Sequence, residues 1–154
     1  MRVFIGLGSN LGDSEQNLKK AIQRIHHAYP IIAQSSIFLT KAQYIEDQPD
    51  FYNQVVEIYS EDDPQTLLAF LRDLESLMGR QRTIKYGPRL IDLDIIFFGD
   101  LIVASETLQI PHPLFAERDF VLRPLLQIAP DWLCPKSGQS IAALNKNLES
   151  LCLS

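Results

Sequence analysis

An α+β sandwich is what the amino-acid sequence predicts, and three observations predict it. Four stretches, Val3–Leu7, Ile31–Leu39, Phe51–Tyr59 and the run ending at Phe98, have the patterning of strands. Two helical patterns, each opened by a capping acid, lie between the first and second and between the third and fourth of them. No internal repeat, linker or low-complexity tract interrupts that order.

In the first strand, Val3, Ile5 and Leu7 share one face, and Phe4, Gly6 and Gly8 the other. Two glycines on one face make either a flat floor that a planar ligand can approach or a seat for close helix packing. Asp13 is placed to cap the first helix, with Gln16 three residues on, and Leu18, Ala21, Ile22 and Ile25 form its apolar stripe. The helix is expected to end before Pro30. Gly6-Leu7-Gly8 is not a dinucleotide fingerprint, because Leu11 stands where a third glycine belongs, and no P-loop sequence occurs anywhere.

Ile31–Leu39 is expected as one strand and Thr40–Asp50 as a polar loop. In Phe51–Tyr59, Phe51, Asn53 and Val55 share a face. The first two could stack on a heterocycle and hydrogen-bond its edge, or be a core ring and a strand-end amide. Asp62-Asp63-Pro64 starts the second helix with an acid at the cap and proline at N1. Leu67, Leu68, Leu71, Leu74 and Met78 form its stripe, and Gly79 stops it. Arg72 and Glu75, three apart, could be a surface ion pair of little energetic weight.

The stretch Gly87–Gly99 organises the rest. Asp92 and Asp94, two apart in an extended chain, point the same way, with Leu93 and Ile95 on the opposite side. Ile95-Ile96-Phe97-Phe98 is apolar on both faces, as in a strand covered on both sides. Acids at the lip of such a strand must be paired, protonated or metal-bound. An all-oxygen site suits a hard cation such as Mg²⁺. Arg80, Arg82, Lys85 and Arg89 place four cations in the ten residues before it, in a chain of net charge −5. Cations for phosphate oxygens beside carboxylates for metal are the parts of a metal-polyphosphate site.

Gly99-Asp100 is a hairpin signal, and Leu101–Val103 and Thr107–Ile110 are expected as short strands. Phe120–Ile128 is expected as a helix kinked or broken at Pro124, with Trp132 and Leu133 on the edge and a short helix over Ser140–Leu148. The βαββαβ order is that of a ferredoxin-like core: an antiparallel sheet with helices packed on it, followed by an extra C-terminal hairpin and helices.

A chain of 154 residues with 46% hydrophobic and 21% charged residues suits one globular domain. No apolar run is long enough to span a bilayer, and Met1–Gly6 does not begin a signal peptide. The acidic balance argues against a general nucleic-acid binder. Cys134 and Cys152 have no metal-type spacing, and a reduced cytoplasmic pair is expected.

Several segments carry a resemblance. They are Gly6-Leu7-Gly8-Ser9-Asn10-Leu11-Gly12-Asp13, Gln48-Pro49-Asp50-Phe51-Tyr52-Asn53, and Glu75 with Gly79-Arg80-Gln81-Arg82. Gly87-Pro88-Arg89-Leu90-Ile91-Asp92-Leu93-Asp94, Pro111-His112 and Arg118-Asp119-Phe120-Val121-Leu122 complete the set. On these the chain resembles the 6-hydroxymethyl-7,8-dihydropterin pyrophosphokinases of folate biosynthesis. The match runs over nearly the whole chain, so one domain over 1–154 is expected, without a fused partner enzyme.

The resemblance implies transfer of the β,γ-diphosphate of ATP to the pterin hydroxymethyl group, with release of AMP. It implies two Mg²⁺ ions on Asp92 and Asp94, with Arg80, Arg82 and Arg89 on the phosphates. It places Arg72, Glu75, Arg82, Tyr86, Ile95, His112 and Arg118 on ATP. It puts the pterin over Gly8, between Phe51 and Phe120, with Asn53 and the segment Thr40, Lys41, Ala42, Gln43 at its edge and Tyr86 closing over it. The loops Thr40–Asp50 and Arg80–Tyr86 would be the lids, and the enzyme a cytoplasmic monomer with no nucleic-acid or membrane partner. Some positions depart from common family usage. Lys41-Ala42-Gln43 stands for a proline-rich run, Arg72 for an amide, Tyr86 for a tryptophan and Thr107 for an arginine, and the basic loop is one residue short. A metabolite-binding module without turnover and an RNA-binding sheet share the topology. The acid pair beside three arginines favours the enzyme over the first, and the acidic balance argues against the second.

Overall fold

The computed structural model describes residues 1–41, 49–79 and 89–153, with side chains through residue 151. Strand β1 (Arg2–Ser9) leads to helix α1 (Ser14–Ala28), then β2 (Ile31–Gln34), β3 (Phe38–Thr40) and β4 (Phe51–Tyr59). Helix α2 (Pro64–Leu77) precedes β5 (Asp92–Phe98), and β6 (Val103–Ala104) and β7 (Gln109–Ile110) follow. A 3-10 turn at Phe115–Glu117 leads into α3 (Asp119–Ile128), and α4 (Ile141–Leu153) comes last.

The main sheet runs β2-β4-β1-β5, with β3 also on β4, and every pairing is antiparallel. If β2 and β3 are counted as one edge, this is the ferredoxin-like arrangement. Leu18, Ala21 and Ile25 of α1 and Leu67, Leu71 and Leu74 of α2 bury against Val3, Ile5 and Leu7 on one face. On the other, Leu122 and Leu125 of α3 and Ile141 of α4 bury against Phe4, Val55 and Phe97. The two faces of β1 divide as their alternation predicts, and the sheet has helices on both sides.

The helix starts follow from their caps. The Asp13 carboxylate accepts from the Gln16 N–H at 3.2 Å, and that of Asp63 from the Thr66 N–H at 2.7 Å, with Pro64 at the first helical position. Gly79, just past α2, has φ +89°. Helix α3 runs through Pro124 unbroken, and α4 is longer than its expected range.

Two expectations are corrected. Ile31–Leu39 is not one strand. Gln34 lies opposite Val56 and Phe38 opposite Asn53, so this edge carries one residue too many for a continuous ladder. The surplus gathers at Ser35, whose hydroxyl accepts the Val55 N–H at 3.0 Å in place of a main-chain oxygen. Gly99-Asp100 is a turn but not a hairpin. The Leu101 N–H returns to the Phe98 carbonyl at 3.1 Å, and the hairpin forms later, between β6 and β7.

Strand β5 has an irregularity of its own. Ile5 faces Ile95 and Phe4 faces Phe97, so Ile96 is an extra residue. Ile95 and Phe98 consequently pack beneath α1 and α2, and Ile96 and Phe97 beneath α3 and α4.

Candidate active site

The sheet register assembles the site. Phe38, Asn53, Gly8 and Asp92 form one row across β3, β4, β1 and β5, and Val55, Gly6 and Asp94 form the next like-facing row. Both rows face the side that α3 and α4 cover. Those helices pack on the half of this face bearing Phe4 and Phe97. The glycines and aspartates lie toward the other half.

The floor is flat because Gly8 has no side chain. A Cβ there would sit 3.6 Å from Asn53 Oδ1 and 3.8 Å from the Phe51 ring, so both residues border Gly8. The Asn53 amide donates to Thr40 Oγ1 at 2.9 Å and to the Phe38 carbonyl at 3.2 Å, which holds it upright beside the glycine. Gly6 serves packing instead: a Cβ there would come within 3.3 Å of Ile96. The close-packing reading of the glycine pair holds at Gly6. Lys41 is exposed at the end of the described edge.

Asp94 lies beside Asp92, with Arg72 Nη2 3.7 Å from its carboxylate. Burial, then the neighbouring Asp92, raises the Asp94 pKa to about 7, against Arg72 and Arg118, which lower it. The carboxylate is ringed by protein yet keeps 40% of its side-chain surface open to water, so screening tempers that rise. The site offers two carboxylates on one strand. Among the described residues no group of three or more His, Cys, Asp or Glu could hold a metal. A pair of carboxylates with coordination completed by water and phosphate suits Mg²⁺, and no thiolate or imidazole cage is present among those residues.

Arg72 and Glu75 are more than a surface pair. Glu75 is 2% exposed. Its Oε2 accepts the Leu93 N–H at 2.9 Å, while Arg72 Nη1 donates to Glu75 Oε1 at 2.7 Å and to the Leu93 carbonyl at 2.8 Å. Together they complete the edge of β5 between the two aspartates. Ile95, expected on ATP, is 3% exposed and packs in the core below α1 and α2. Its side chain is a core group, which leaves only its main chain for a nucleotide.

At the start of α3, the Arg118 guanidinium lies 5.5 Å from the Phe120 ring. His112 is held by its own loop: Nδ1 accepts the Leu114 N–H at 3.2 Å, and its main-chain N–H donates to the Ile96 carbonyl at 3.0 Å. Burial, helped by Arg118, lowers the His112 pKa to about 4. The imidazole is therefore neutral near pH 7, with Nδ1 as acceptor and the proton on Nε2.

Arg89 is half-buried at the near end of the basic segment. Its N–H donates to Asn10 Oδ1 at 2.7 Å and its carbonyl accepts the Asn10 N–H at 2.9 Å. Asn10, 2% exposed, also donates from Nδ2 to the Pro49 carbonyl at 3.1 Å. Ser9 Oγ donates to the Leu90 carbonyl at 2.6 Å. The reading of residue types passed over these anchors. Their signal was a run of small polar residues directly after a buried strand, where every such group needs a partner. Arg80, Arg82, Ala42, Gln43 and Tyr86 lie outside the described residues, as do most of both expected lids.

The family described as 7,8-dihydro-6-hydroxymethylpterin-pyrophosphokinase (HPPK) matches residues 4–130. The 2-amino-4-hydroxy-6-hydroxymethyldihydropteridine pyrophosphokinase of Aquifex aeolicus is 37% identical over 133 residues, 86% of this chain and 83% of that protein. The protein of that name from Bacillus subtilis is 41% identical over 127 residues, 81% of this chain and 76% of its own. The folic acid synthesis protein FOL1 of Dictyostelium discoideum is 41% identical over 133 residues, and the match spans only 20% of its length. A crystal structure of Plasmodium falciparum HPPK-DHPS with pteroate superposes with a TM-score of 0.78 at 16% identity, over 97% of this chain and 42% of that one, a likeness of fold. No described helix is long and apolar enough to cross a membrane. With most of its length matched by the family and by the Aquifex and Bacillus proteins, the chain belongs to the 7,8-dihydro-6-hydroxymethylpterin-pyrophosphokinase family.

Proposed function

We propose that this protein transfers the β,γ-diphosphate of ATP to the hydroxymethyl group of 6-hydroxymethyl-7,8-dihydropterin, giving the pterin diphosphate and AMP. The observation that carries the proposal is the row Asn53, Gly8, Asp92, with Asp94 adjoining: a flat floor, a polar edge and two carboxylates on one face of one sheet. The pterin rests on Gly8 between Phe51 and Phe120, with the Asn53 amide and the Thr40 edge beside it. Asp92 and Asp94 would hold two Mg²⁺ ions. When bound, these offset the triphosphate charge and make the β-phosphorus a better electrophile.

Arg89, with Arg80 and Arg82, holds phosphate oxygens, and Arg118 and neutral His112 border the nucleotide. The hydroxymethyl oxygen forms a bond to the β-phosphorus as the bond from that phosphorus to the α,β-bridging oxygen breaks. The hydroxyl proton passes to solvent water, and AMP leaves with the bridging oxygen. Positioning and electrostatics supply most of the rate. The protein acts as a monomer in the cytoplasm, a setting that suits the buried free thiol of Cys134.

The test is chromatographic measurement of AMP from ATP and Mg²⁺, with and without the pterin alcohol. Pterin-dependent AMP, lost in Asp94→Ala with its circular dichroism unchanged, is expected. AMP formation indifferent to the pterin would overturn the proposal.

A further inference from the structure

Arg72 occupies an unusual position. Its Nη1 is committed to Glu75 Oε1 at 2.7 Å and to the Leu93 carbonyl at 2.8 Å. Glu75, almost wholly buried, is itself fixed to the Leu93 N–H at 2.9 Å. One guanidinium is thus tied to α2 and to the strand between the two aspartates. Its other nitrogen, Nη2, faces Asp94 Oδ1 at 3.7 Å. That separation is too long for a hydrogen bond and short enough for a strong charge interaction. Arg118, the other cation acting on Asp94 from the described residues, stands at the start of α3, over the Phe120 ring. Arg72 is the one anchored to the strand that carries the acids.

We infer that Arg72 is the resident counter-cation of the acid pair: its anchored charge weakens the site for divalent metal until a polyphosphate arrives. The inference rests on the reading of Asp92 and Asp94 as metal ligands. A fixed positive charge beside one ligand offsets part of the carboxylates' attraction for a divalent ion. A triphosphate brings negative charge enough to outweigh it, so metal and nucleotide favour each other's binding. Metal loading is thereby coupled to the substrate and not to the free ion concentration.

The test is Mn²⁺ titration of the metal-free protein at pH 8, with free ion counted by electron paramagnetic resonance, with and without an ATP analogue carrying a methylene between the α- and β-phosphorus. Without nucleotide, Arg72→Gln is expected to bind Mn²⁺ about tenfold more tightly than wild type. Arg72→Lys, which keeps the charge, is expected within about twofold of wild type. The gain in Mn²⁺ affinity from the analogue should shrink in Arg72→Gln by the same factor. A purely structural Arg72 gives the opposite sign, since a loosened site binds metal less well. Unchanged or weaker binding by Arg72→Gln, or tightening by Arg72→Lys as well, would overturn the inference. Asp94→Asn separates the two claims: if it binds Mn²⁺ as wild type does, the metal-site reading itself fails. Urea melts of each variant confirm that folded protein is being compared.

Discussion

Asp94 has to serve two states. As the metal ligand proposed above it would be ionised; without metal, burial and Asp92 favour its proton and lift its pKa from 3.8 to about 7. A raised folded-state pKa means the folded protein holds a proton that the unfolded chain has lost. The stabilisation is complete below pH 3.8 and is lost as pH rises toward 7. Metal-free Asp94→Asn is therefore expected to be more stable than wild type at pH 8 and no more stable near pH 4. The difference, discounted for solvent screening, is on the order of 1 kcal/mol in urea unfolding. Saturating Mg²⁺ should close the gap by stabilising wild type. His112 works in the other direction. Its pKa falls from 6.5 to about 4, so its contribution is complete above pH 6.5 and is lost as pH falls toward 4. A carbon-13 imidazole titration should show His112 neutral at pH 5.5. Gly8 tests the floor. A Cβ there meets its neighbours at ordinary contact distances, so Gly8→Ala should fold with little change in melting temperature. The added methyl would occupy the plane proposed for the pterin, and binding of the pterin alcohol, measured by calorimetry, should weaken by about tenfold or more.

Elements differ in how far the sequence discloses them. Helices α1 and α2 were legible because their signals are local: Asp13, Asp63, Pro64 and Gly79 each act within one turn of their own position. The face of β5 that holds the aspartates was legible for the same reason, as i and i+2 in an extended chain require no partner strand. The break at Ser35 was not legible, because it arises from a mismatch in length against β4, and neither strand reveals the count by itself. Glu75 was concealed differently. Three residues from Arg72 on a helix, it has the spacing of a solvated pair, and only the edge of β5 turns it into a buried acceptor for the Leu93 N–H. Glu75→Ala should leave that donor unsatisfied and Arg72 with only the Leu93 carbonyl as its anchor, costing about 2 kcal/mol in urea unfolding. Glu75→Gln, which keeps the acceptor, should recover a large part of the loss. Equal losses in the two variants would show that the edge contact contributes little.

Across the whole molecule, the βαββαβ order emerged from periodicity, with β2 and β3 read as one strand, while the second helical layer needed the structure. Phe4 and Phe97 point at residues that arrive late in the chain, and nothing near them in sequence reveals that α3 and α4 will cover them. This layer also has a part in the site: the same α3 that buries Leu122 and Leu125 presents Arg118 and Phe120 at its start. Ile141→Ala in α4 should therefore cost about 3 kcal/mol. It should also loosen the site at a distance, seen as faster amide exchange at Phe120 and Val121 and weaker pterin binding. Full protection at those amides would show that α3 is held without α4.

The extra residue in β5 has a further consequence. A crystal row with one atom too many keeps perfect order on either side of the fault but loses phase across it, and Ile96 is such a dislocation. Before it, even-numbered residues face the cleft, which sends Asp92 and Asp94 there. Beyond it, the parity reverses, and Phe97 enters the upper core while Phe98 enters the lower. Deleting Ile96 would restore one alternation to the whole strand and leave Asp92, Asp94 and Phe97 on the same face; what it would remove is the side chain seated at Gly6 and the carbonyl that accepts the His112 N–H. Chemistry and packing share one face of a single strand, and the defect adds Ile96, with its hold on the His112 loop, between them.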